Sequence, residues 1–433
     1  MLGGAAVLGA QSVRAQGLRQ DAGSVRIDEE FVTEPSRRIP VLLTTDVLVV
    51  GGGPAGVAAA VSAARAGARV TLLERYNHLG GLWTGGLVLP VNCTHGKGRE
   101  GGRVQAIHGI CAEMTERLAK MNMSIREVNP IVDPEATKSL LDLMMAESGV
   151  EVVYHCYVSQ AIVEDDTVKG VFTESKSGRQ AVLARVVVDC SGDGDVVSWA
   201  GEDFDLYKYN IALASRLGNC DKVDKGATGY RAVKLGLTET PTDGVIWKSM
   251  WGEENQDGLD VRNLSRLQQK LRMEIWHDYE KVHATPGYEK VFVLDIASQL
   301  GVRATRVLKG RYRLTLDDSM TYRTFKDCIG VSGAWTHIPY RGRSVKASER
   351  PVWQIPYGSI VPRKTRNLLV AGRCFSFDKG LLEDAREIGT CLVTGQAAGV
   401  AAALAVSGRT SVQEVDVEKL KKTLTGQHVW LGE

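Results

Sequence analysis

A short buried strand that runs directly into clustered glycines constrains this chain more than any other feature. Residues 46–50 (DVLVV) have the length and β-branched composition of a buried parallel strand, and residues 51–56 (GGGPAG) follow at once. The Ala-rich segment 55–67 is typical of a helix that stops at its closing glycine, and residues 70–74 form the next strand. This order predicts a βαβ unit with a G-x-G-x-x-G turn.

The spacing of the turn gives each glycine a physical task. Gly51 permits a sharp exit from the strand, Gly53 allows the backbone to approach a pyrophosphate, and Gly56 allows the helix to pack on the sheet. Phosphates then face the helix N-terminus, which favours anions. Glu74 ends the second strand, where a carboxylate accepts ribose hydroxyls and repels a 2′-phosphate, so NADP is disfavoured. The predicted dinucleotide contacts are Gly51, Gly53, Pro54, Ala55, Gly56, Glu74 and Arg75. The alternative is a structural glycine loop.

A second glycine-rich loop favours FAD over NAD. Residues 79–87 (LGGLWTGGL) come soon after Glu74, and we expect them to lie under the isoalloxazine and ribityl chain, with Gly80, Gly81 and Thr84 as contacts. The alternative interpretation is a flexible loop.

Two later strands also end in glycine turns. In residues 186–195 (VVVDCSGDGD) a strand enters a Gly/Asp turn, which predicts cofactor contacts from Gly192 and Asp193. In residues 367–373 (NLLVAGR) the same reasoning applies to Gly372 and Arg373. The following long helix, which starts near Gly389 and Thr390, is expected to point its positive end at the flavin pyrimidine ring and to stabilise charge there.

The remaining patterns predict how the chain is organised. We expect a helix over 133–148, a β-meander over 150–189, a helix over 264–283, strands over 353–361 and 367–371, and a long helix over 389–406. The predicted parts are an export-signal remnant (1–15), a lead-in (16–44), a cofactor domain in two pieces (45–201 and 347–410), an inserted substrate or cap domain (202–346) and a tail (411–433).

Composition narrows the classes of partner. The chain has 433 residues with 53 Lys plus Arg against 51 Asp plus Glu, so its net charge of +2 argues against nucleic acid. The eight cysteines show no CxxC or metal-ligand spacing and are interpreted mainly as small buried hydrophobes. No uninterrupted apolar stretch of about 20 residues suggests a membrane span. Residues 1–15 carry a Gly/Ala run of the kind found in twin-arginine signals and end in a small-residue pattern like a signal-peptide cleavage site, but they lack the basic region of a full export signal. They predict a periplasmic protein, and a disordered leader on a cytoplasmic protein is the alternative.

Taken together, these segments resemble the FAD-dependent oxidoreductase family, whose FAD domain is of the glutathione-reductase type. Further matching segments are 299–312 (QLGVRATRVLKGRY) and 353–362 (WQIPYGSIVP), and the resemblance runs from about residue 46 to 420. It implies an α/β fold: a Rossmann-like FAD/NAD(P)-binding domain with a β-meander and an inserted mixed α+β substrate domain. It also implies FAD as cofactor and hydride exchange between a substrate carbon and flavin N5. Two departures are the missing acid in segment 303–306 (RATR) and the unassigned Cys374.

The candidate catalytic residues follow from that resemblance. His337 matches a histidine that relatives carry before the closing strand and is our candidate for proton transfer; His78, His95 and His108 are alternatives, and a structural role is equally open. Arg303 and Arg306 lie three apart, so on a helix or irregular turn they would face one cleft and clamp a carboxylate or polar group; binding FAD phosphate is the alternative. Arg386 precedes the last helix and would contact flavin or substrate, or form a structural ion pair.

Three functions are compatible with these features. The preferred one is an FAD-dependent dehydrogenase or reductase that acts on a small polar molecule. Since there is one dinucleotide fingerprint and no CxxxxC redox pair, a disulfide reductase is not expected, and the electrons come from the substrate or a partner. The others are a flavin-binding protein without turnover and a tRNA-modifying flavoprotein, which needs a more basic surface.

Overall fold

The computed structural model describes residues 26–223, 237–249 and 252–432. The N-terminal elements are β1 (Arg26–Ile27), β2 (Val32–Thr33), β3 (Val41–Val50), α1 (Pro54–Arg65), β4 (Val70–Leu73), β5 (His95–Lys97), β6 (Arg103–Gln105), α2 (Gly109–Lys120), β7 (Ser124–Ile125), β8 (Ile131–Val132), α3 (Pro134–Ser148), β9 (Glu151–Val153), β10 (Tyr157–Glu164), β11 (Thr167–Ser175), β12 (Gly178–Asp189) and α4 (Asp195–Trp199).

The second half of the chain contains β13 (Phe204–Leu206), β14 (Tyr209–Ala212), β15 (Ala214–Gly218), β16 (Leu237–Glu239), β17 (Ile246–Ser249), β18 (Glu253–Gln256), α5 (Val261–His283), β19 (Phe292–Ile296), β20 (Gly301–Val302), β21 (Arg306–Leu308), α6 (Leu316–Met320), β22 (Cys328–Ser332), β23 (Ile338–Tyr340), β24 (Arg343–Val345), β25 (Trp353–Pro356), β26 (Leu368–Val370), α7 (Leu382–Ala385), α8 (Ile388–Gly408) and α9 (Val417–Gly426). Short 3-10 turns join several of them.

One sheet carries the cofactor half of the molecule. Its order is β10-β11-β12-β3-β4-β9, and β26 adds to β12. The pairs β12/β3, β3/β4, β4/β9 and β12/β26 are parallel, whereas β10, β11 and β12 form the antiparallel meander. The predicted α/β fold and the first βαβ unit are thus confirmed. The strand β3 begins at Val41, inside the predicted lead-in, because its first residues already pair with β12.

Helices α1 and α8 pack against each other through small residues. A Cβ atom on Gly395 would lie 2.1 Å from the Ala55 carbonyl oxygen, and one on Gly399 would lie 2.1 Å from that of Ala59. The Ser62 hydroxyl also donates to the Gln396 carbonyl (2.9 Å). This close approach buries the apolar surface of both helices in the main core.

Among the described residues, α8 is long and apolar enough to cross a membrane by length and composition, which the sequence expectation did not single out. Its apolar window is 94% buried within the protein, so here it serves as a core helix.

The middle of the chain forms smaller antiparallel sheets, ordered β18-β14-β20 and β16-β17-β15-β19. Helix α5 covers them with Leu267, Leu271 and Ile275. It begins at Val261, earlier than predicted, because Asp260 caps it by accepting hydrogen bonds from two backbone N–H groups. The predicted strand 353–361 is shorter than expected, since a 3-10 turn replaces it after Pro356.

Three further predictions concern the cysteines, the domain bounds and the first residues of the chain. All eight cysteines are free thiols, and all but Cys220 are buried, as expected of small hydrophobes. The strands β22 and β25 pair across the predicted boundary at residue 346, and the domain bounds remain predictions. The predicted export signal over residues 1–15 lies outside the described residues.

Candidate cofactor and active site

The first glycine turn is built so that only glycine fits at two of its positions. Gly51 has φ +99°, and a Cβ there would lie 2.6 Å from the Cys190 carbonyl oxygen. A Cβ on Gly56 would lie 1.8 Å from the Gly51 carbonyl oxygen. Gly53 differs, because a Cβ there would meet nothing within 4 Å. It occupies the N-cap of α1 without a side-chain cap, followed by Pro54 and Ala55, so the helix N-terminus opens onto free space.

Glu74 connects this turn to the end of β4. Its carboxylate is buried, and it accepts hydrogen bonds from the Gly52 N–H (2.7 Å) and the Tyr76 N–H (2.8 Å). A carboxylate has further lone pairs, so it can also accept from ribose hydroxyls. Arg75 is exposed and lies over the Tyr76 ring at 4.8 Å from its centroid.

The second glycine loop packs directly on the first. The Gly80 N–H donates to the Gly52 carbonyl (2.8 Å), and a Cβ on Gly81 would lie 3.1 Å from the Gly53 Cα. The Thr84 hydroxyl donates to the Leu79 carbonyl (2.5 Å), which closes the loop. The two loops therefore border the same open space in front of α1.

The turn after β12 meets the turn after β26. Arg373 forms an ion pair with Asp193 (2.6 Å), and a Cβ on Gly192 (φ +79°) would lie 3.0 Å from the Arg373 guanidinium carbon. Gly372 donates its N–H to the Thr394 hydroxyl (3.1 Å). Asp189, which was not predicted as a site residue, is fully buried and organises the turn by accepting hydrogen bonds from Ser191 and from the Val197 N–H. An Asp that ends a strand before Ser-Gly was the available signal.

These residues fit an FAD molecule. Two buried N–H groups near them, Trp83 Nε1 and Arg373 Nε, have no hydrogen-bond partner among the described residues. Such orphaned donors are costly in a finished core and indicate a missing polar partner. Together with the open N-terminus of α1 and the buried Glu74 carboxylate, they suit a ligand that carries ribose hydroxyls and a pyrophosphate.

The N-terminus of α8 is different, because protein atoms surround it. A Cβ on Gly389 would lie 2.5 Å from both the Asn92 carbonyl oxygen and Ile107 Cδ1. The Thr390 hydroxyl is fully buried and bonds to the Asp384 carbonyl (2.8 Å) and to the Ser332 hydroxyl (2.7 Å). Contacts between these two residues and flavin remain predictions.

The four candidate histidines lie in different environments. His337 is exposed at the start of the β23–β24 hairpin. His78 is buried; its Nε2 lies 3.3 Å from the Gln299 amide nitrogen, and its Nδ1 lies 3.1 Å from the Leu79 carbonyl oxygen. His95 is partly buried beside the Thr94 hydroxyl, and burial, with Arg103 and His108, lowers its pKa.

His108 packs edge-on against Trp430, with ring centroids 5.9 Å apart. Of the other candidates, His108 helps to lower the pKa of His95, whereas the ring of His337 makes no hydrogen bond with a described residue.

Arg303 directly follows β20 and Arg306 begins β21, with an irregular segment and no helix between them. The clamp by these two arginines stays a prediction. Arg306 donates to the Asp193 carbonyl (3.1 Å) and pairs with Asp195 (3.0 Å), whose pKa is raised to about 6 by burial and by Asp189 and Asp193. Arg303 makes no hydrogen bond or ion pair with a described residue; burial, with Arg386, lowers its pKa.

A group of hydrogen-bonded polar side chains lies at the start of α8. We name it the α8 charge cluster, and its members are Asn92, Tyr209, Glu383, Arg386 and Glu387. Arg386 pairs with Glu383 (2.5 Å) and with Glu387 (3.1 Å). The Tyr209 hydroxyl donates to Glu383 (2.5 Å), and the Asn92 amide donates to Glu387 (2.9 Å). Burial raises the pKa of Tyr209 to about 12, with help from Glu383.

Sequence reasoning found Arg386 but missed its partners. The acidic run before a buried helix (EDARE, 383–387) was the available signal. A second buried pair, Arg350 with Asp384, lies beside the cluster.

One family model matches most of this chain. A family model described as FAD dependent oxidoreductase matches residues 46–212 and 208–424. Digeranylgeranylglycerophospholipid reductase of Methanosarcina acetivorans is 30% identical over 190 residues, which cover 40% of this chain and 44% of that protein. Thiamine thiazole synthase of Aeropyrum pernix is 34% identical over 192 residues, 41% of this chain and 63% of that protein. The chain thus spans about half the length of the curated relatives it matches.

Among solved structures, a geranylgeranyl bacteriochlorophyll reductase-like protein from Thermoplasma acidophilum covers 89% of this chain and 84% of its own length, at 15% identity and a TM-score of 0.47.

Proposed function

The chain belongs to the FAD dependent oxidoreductase family, and on that premise we propose that it exchanges a hydride between a small polar organic substrate and FAD beside the α8 charge cluster. The observation that supports this most is the pairing of an open helix N-terminus at Gly53 with a buried, hydrogen-bonded carboxylate at Glu74. These two features suit the diphosphate and the ribose of one cofactor.

The cofactor side uses residues from all four glycine-bearing segments. The turn 51–56 receives the pyrophosphate, Glu74 accepts the ribose hydroxyls, and the loop 79–87 supports the ribityl chain and ring. The far side of the cofactor site is closed by Gly192, Asp193, Gly372 and Arg373. When bound, FAD supplies a ring that accepts or donates a hydride, and the protein supplies binding and orientation.

The substrate side uses the α8 charge cluster together with Arg303. Tyr209 keeps its proton at neutral pH because its pKa is raised, so it acts as a hydrogen-bond donor. Among the candidate histidines, His95 suits proton transfer best, since a lowered pKa leaves its imidazole neutral and able to accept a proton. His337 is exposed and is the weaker candidate.

The relatives' names suggest other substrates. They describe proteins that act on a prenylated phospholipid and in thiazole synthesis, but the matched region is about 40% of this chain. We therefore derive the substrate from the polar side chains of this chain.

Anaerobic titration of the FAD-loaded protein tests the proposal. Sugars, hydroxy acids, NAD(P)H and a polyprenyl lipid are added separately, and the visible flavin absorption is followed. We expect a small polar compound to bleach the flavin. Bleaching by dithionite alone would support a binding protein without turnover, and bleaching by the lipid alone would contradict a small polar substrate. Salt-dependent tRNA binding would instead favour the tRNA-modifying class.

We also propose export to the periplasm, supported by the signal-like residues 1–15. Cell fractionation and N-terminal sequencing of the native protein test it. The expected result is a periplasmic protein that lacks residues 1–15, and a cytoplasmic protein that retains them would contradict it.

A further inference from the structure

Two neighbouring hairpins carry an excess of positive charge. The segments 95–105, with β5 and β6, and 338–349, with β23 and β24, together contain six Lys or Arg residues and two acidic residues. Their net charge is therefore +4, whereas the whole chain carries +2. All six cationic side chains are exposed, and we name them the hairpin patch: Lys97, Arg99, Arg103, Arg341, Arg343 and Lys346.

The two hairpins form one surface. The Lys97 N–H donates to the Arg350 carbonyl (2.9 Å), so β5 runs beside the chain that follows β24. One carboxylate, that of Glu349, lies within the electrostatic reach of both hairpins, because its pKa is lowered by Arg343, Lys346 and Lys97. The cations of the hairpin patch therefore act together on whatever approaches this surface.

The charge of the hairpin patch is poorly compensated by the chain itself. Lys97 and Arg103 are opposite each other in the antiparallel register of β5 and β6, and like charges in that position are destabilising. Arg341 pairs with Asp317 (2.7 Å), whereas the other five cations form no ion pair with a described residue. An external anionic surface would therefore be stabilised here.

The composition of the two segments indicates what kind of partner fits them. None of the large hydrophobic residues that are exposed in the described structure lies in 95–105 or 338–349. A stable protein interface has an apolar core, and a helix or hairpin that inserts into a membrane surface needs exposed apolar side chains. A charged surface without them suits a short-lived complex that is steered by opposite charge, as complexes between redox proteins often are.

The hairpin patch is close to the proposed site. Asn92, in the α8 charge cluster, and Lys97 are five residues apart, so their Cα atoms are separated by at most about 18 Å. His95 lies between them, and Arg103 helps to lower its pKa. A protein bound to the hairpin patch would therefore lie near the residues proposed to surround the flavin.

We propose that the hairpin patch docks an acidic one-electron carrier protein, which reoxidises the flavin after each substrate oxidation. This inference rests on the proposed function and names the electron acceptor of that site. Two oxidised carriers bind in turn and each takes one electron from FADH2. The products are FAD, two reduced carriers and two protons that are released to the solvent.

Binding of two carriers of opposite charge tests the docking surface without turnover. Cytochrome b5 is acidic and cytochrome c is basic, and both are small haem proteins that carry one electron. The FAD-loaded protein is titrated with each oxidised cytochrome by isothermal calorimetry at low and at physiological salt. We expect cytochrome b5 to bind, with a Kd that rises about tenfold between about 20 and about 150 mM salt, and cytochrome c not to bind.

A charge-removing variant locates the binding. The combined substitution Lys97→Gln, Arg343→Gln and Lys346→Gln should raise the cytochrome b5 Kd about tenfold. Arg103 is kept, because it acts on the candidate base His95. Bleaching of the flavin by substrate should therefore be unchanged in this variant, while transfer of electrons from the reduced protein to dilute cytochrome b5 should slow by about the same factor as the Kd rises.

The matched control removes the same amount of charge elsewhere. It combines substitutions to Gln at three exposed lysines that form no ion pair with a described residue: Lys176, Lys419 and Lys422. Its Kd for cytochrome b5 should stay within about twofold of the wild-type value. Equal Kd values for this control and the patch variant would overturn the inference, as would tighter binding of cytochrome c than of cytochrome b5.

Further outcomes separate this inference from the proposed function. The inference fails if cytochrome b5 does not bind, if it binds but takes no electrons from the reduced flavin, or if phosphatidylglycerol vesicles or tRNA bind to the hairpin patch in its place. The proposed function stands in each of these cases if an organic substrate bleaches the flavin. If no organic reductant bleaches it while cytochrome b5 still binds to the hairpin patch and oxidises the dithionite-reduced protein, the proposed function fails and the docking surface stands.

Discussion

The two helices that pack through Gly395 and Gly399 begin in opposite ways. Helix α1 begins at Gly53, where no side chain caps it and where a Cβ would meet nothing within 4 Å. Helix α8 begins beside Glu387, a buried carboxylate held by Arg386 and Asn92, and its Gly389 is packed against protein atoms. One N-terminus is left open for a ligand, and the other is occupied by the chain itself.

The two N-termini differ in how far ligand recognition depends on the particular side chains of this chain. An open, uncharged helix N-terminus recognises a phosphate through backbone N–H groups, and it needs only glycines at the right spacing. A charged N-terminus recognises through side chains, so its chemistry depends on which residues this chain places there. We therefore expect substitutions at α8 to affect stability and substrate, and substitutions at α1 to affect the cofactor.

The largest effect on the free energy of unfolding is expected at the charged N-terminus of α8. Arg386→Met leaves the carboxylates of Glu383 and Glu387 without their cation, which should cost about 3–5 kcal/mol in the free energy of unfolding at neutral pH. Denaturant unfolding measures it, with Lys138→Met as the control for an exposed ion pair. A loss as small as that of the control would contradict a buried, mutually dependent cluster.

The same variant has a defined pH dependence. Burial already raises the pKa of Glu387, and Arg386 opposes that rise, so removing Arg386 raises the pKa further. A carboxyl whose folded-state pKa is raised favours the folded state once it is protonated. The difference in stability between Arg386→Met and wild type should therefore shrink as the pH falls toward the unfolded-state pKa of Glu. A difference that grows on acidification would oppose this assignment.

A smaller loss in the free energy of unfolding is expected where α1 and α8 touch. Gly395→Ala places a Cβ 2.1 Å from the Ala55 carbonyl oxygen and should cost about 1–3 kcal/mol, because the helices must separate. Gly426→Ala, in α9 with nothing within 4 Å, is the matched control and should be neutral or slightly stabilising. Urea midpoints compare the two, and equal midpoints would mean that the helix contact is looser than described.

Glu74→Gln tests the link between the open terminus and the sheet. An amide has one acceptor oxygen, so either the Gly52 or the Tyr76 N–H loses its partner, at about 1–3 kcal/mol. We also expect weaker FAD binding, measured by equilibrium dialysis. Glu116→Gln, at an exposed position on α2, is the control. FAD binding that stays as tight as in that control would remove Glu74 from the cofactor site.

The smallest effect on folding, and the sharpest on the cofactor, is expected at Gly53. Gly53→Ala meets open space and a φ of −68°, so the stability of the FAD-free protein should change by less than about 0.5 kcal/mol. The added methyl group would occupy the space proposed for the pyrophosphate and should raise the FAD Kd about tenfold or more. Thermal unfolding measures the effect on stability, and FAD titration measures the effect on binding. Unchanged FAD affinity would contradict the claim that the N-terminus of α1 is left open for the cofactor.

The sequence predicted the cofactor half well because its constraints are local. A strand, three spaced glycines and an acidic residue at the next strand end are tied together by backbone geometry, so spacing alone places Gly51, Gly56 and Glu74. The meander and helix α3 followed from periodicity, and the structure adds that Asp133 caps α3 by accepting hydrogen bonds from the Glu135 and Ala136 N–H groups.

The substrate side was harder to predict because its contacts join distant segments. Tyr209 and Glu383 are 174 residues apart, and Asn92 and Glu387 are 295 apart, so no local pattern announces either bond. The surroundings of Arg303 and Arg306 were hard to predict for a related reason, because the residues that contact Arg306, Asp193 and Asp195, lie more than 100 positions earlier in the chain. His337 was ranked first from resemblance, which carries no information about exposure.

The most direct test of the central claim is the FAD content of the purified protein and of its Gly53→Ala variant, measured by visible absorption and by chromatography of the released cofactor. We predict a stoichiometric FAD in the wild-type protein, bleached reversibly by a reductant, and a depleted but folded Gly53→Ala protein. A colourless wild-type protein that cannot be loaded with FAD would contradict the claim that this chain is an FAD-dependent oxidoreductase.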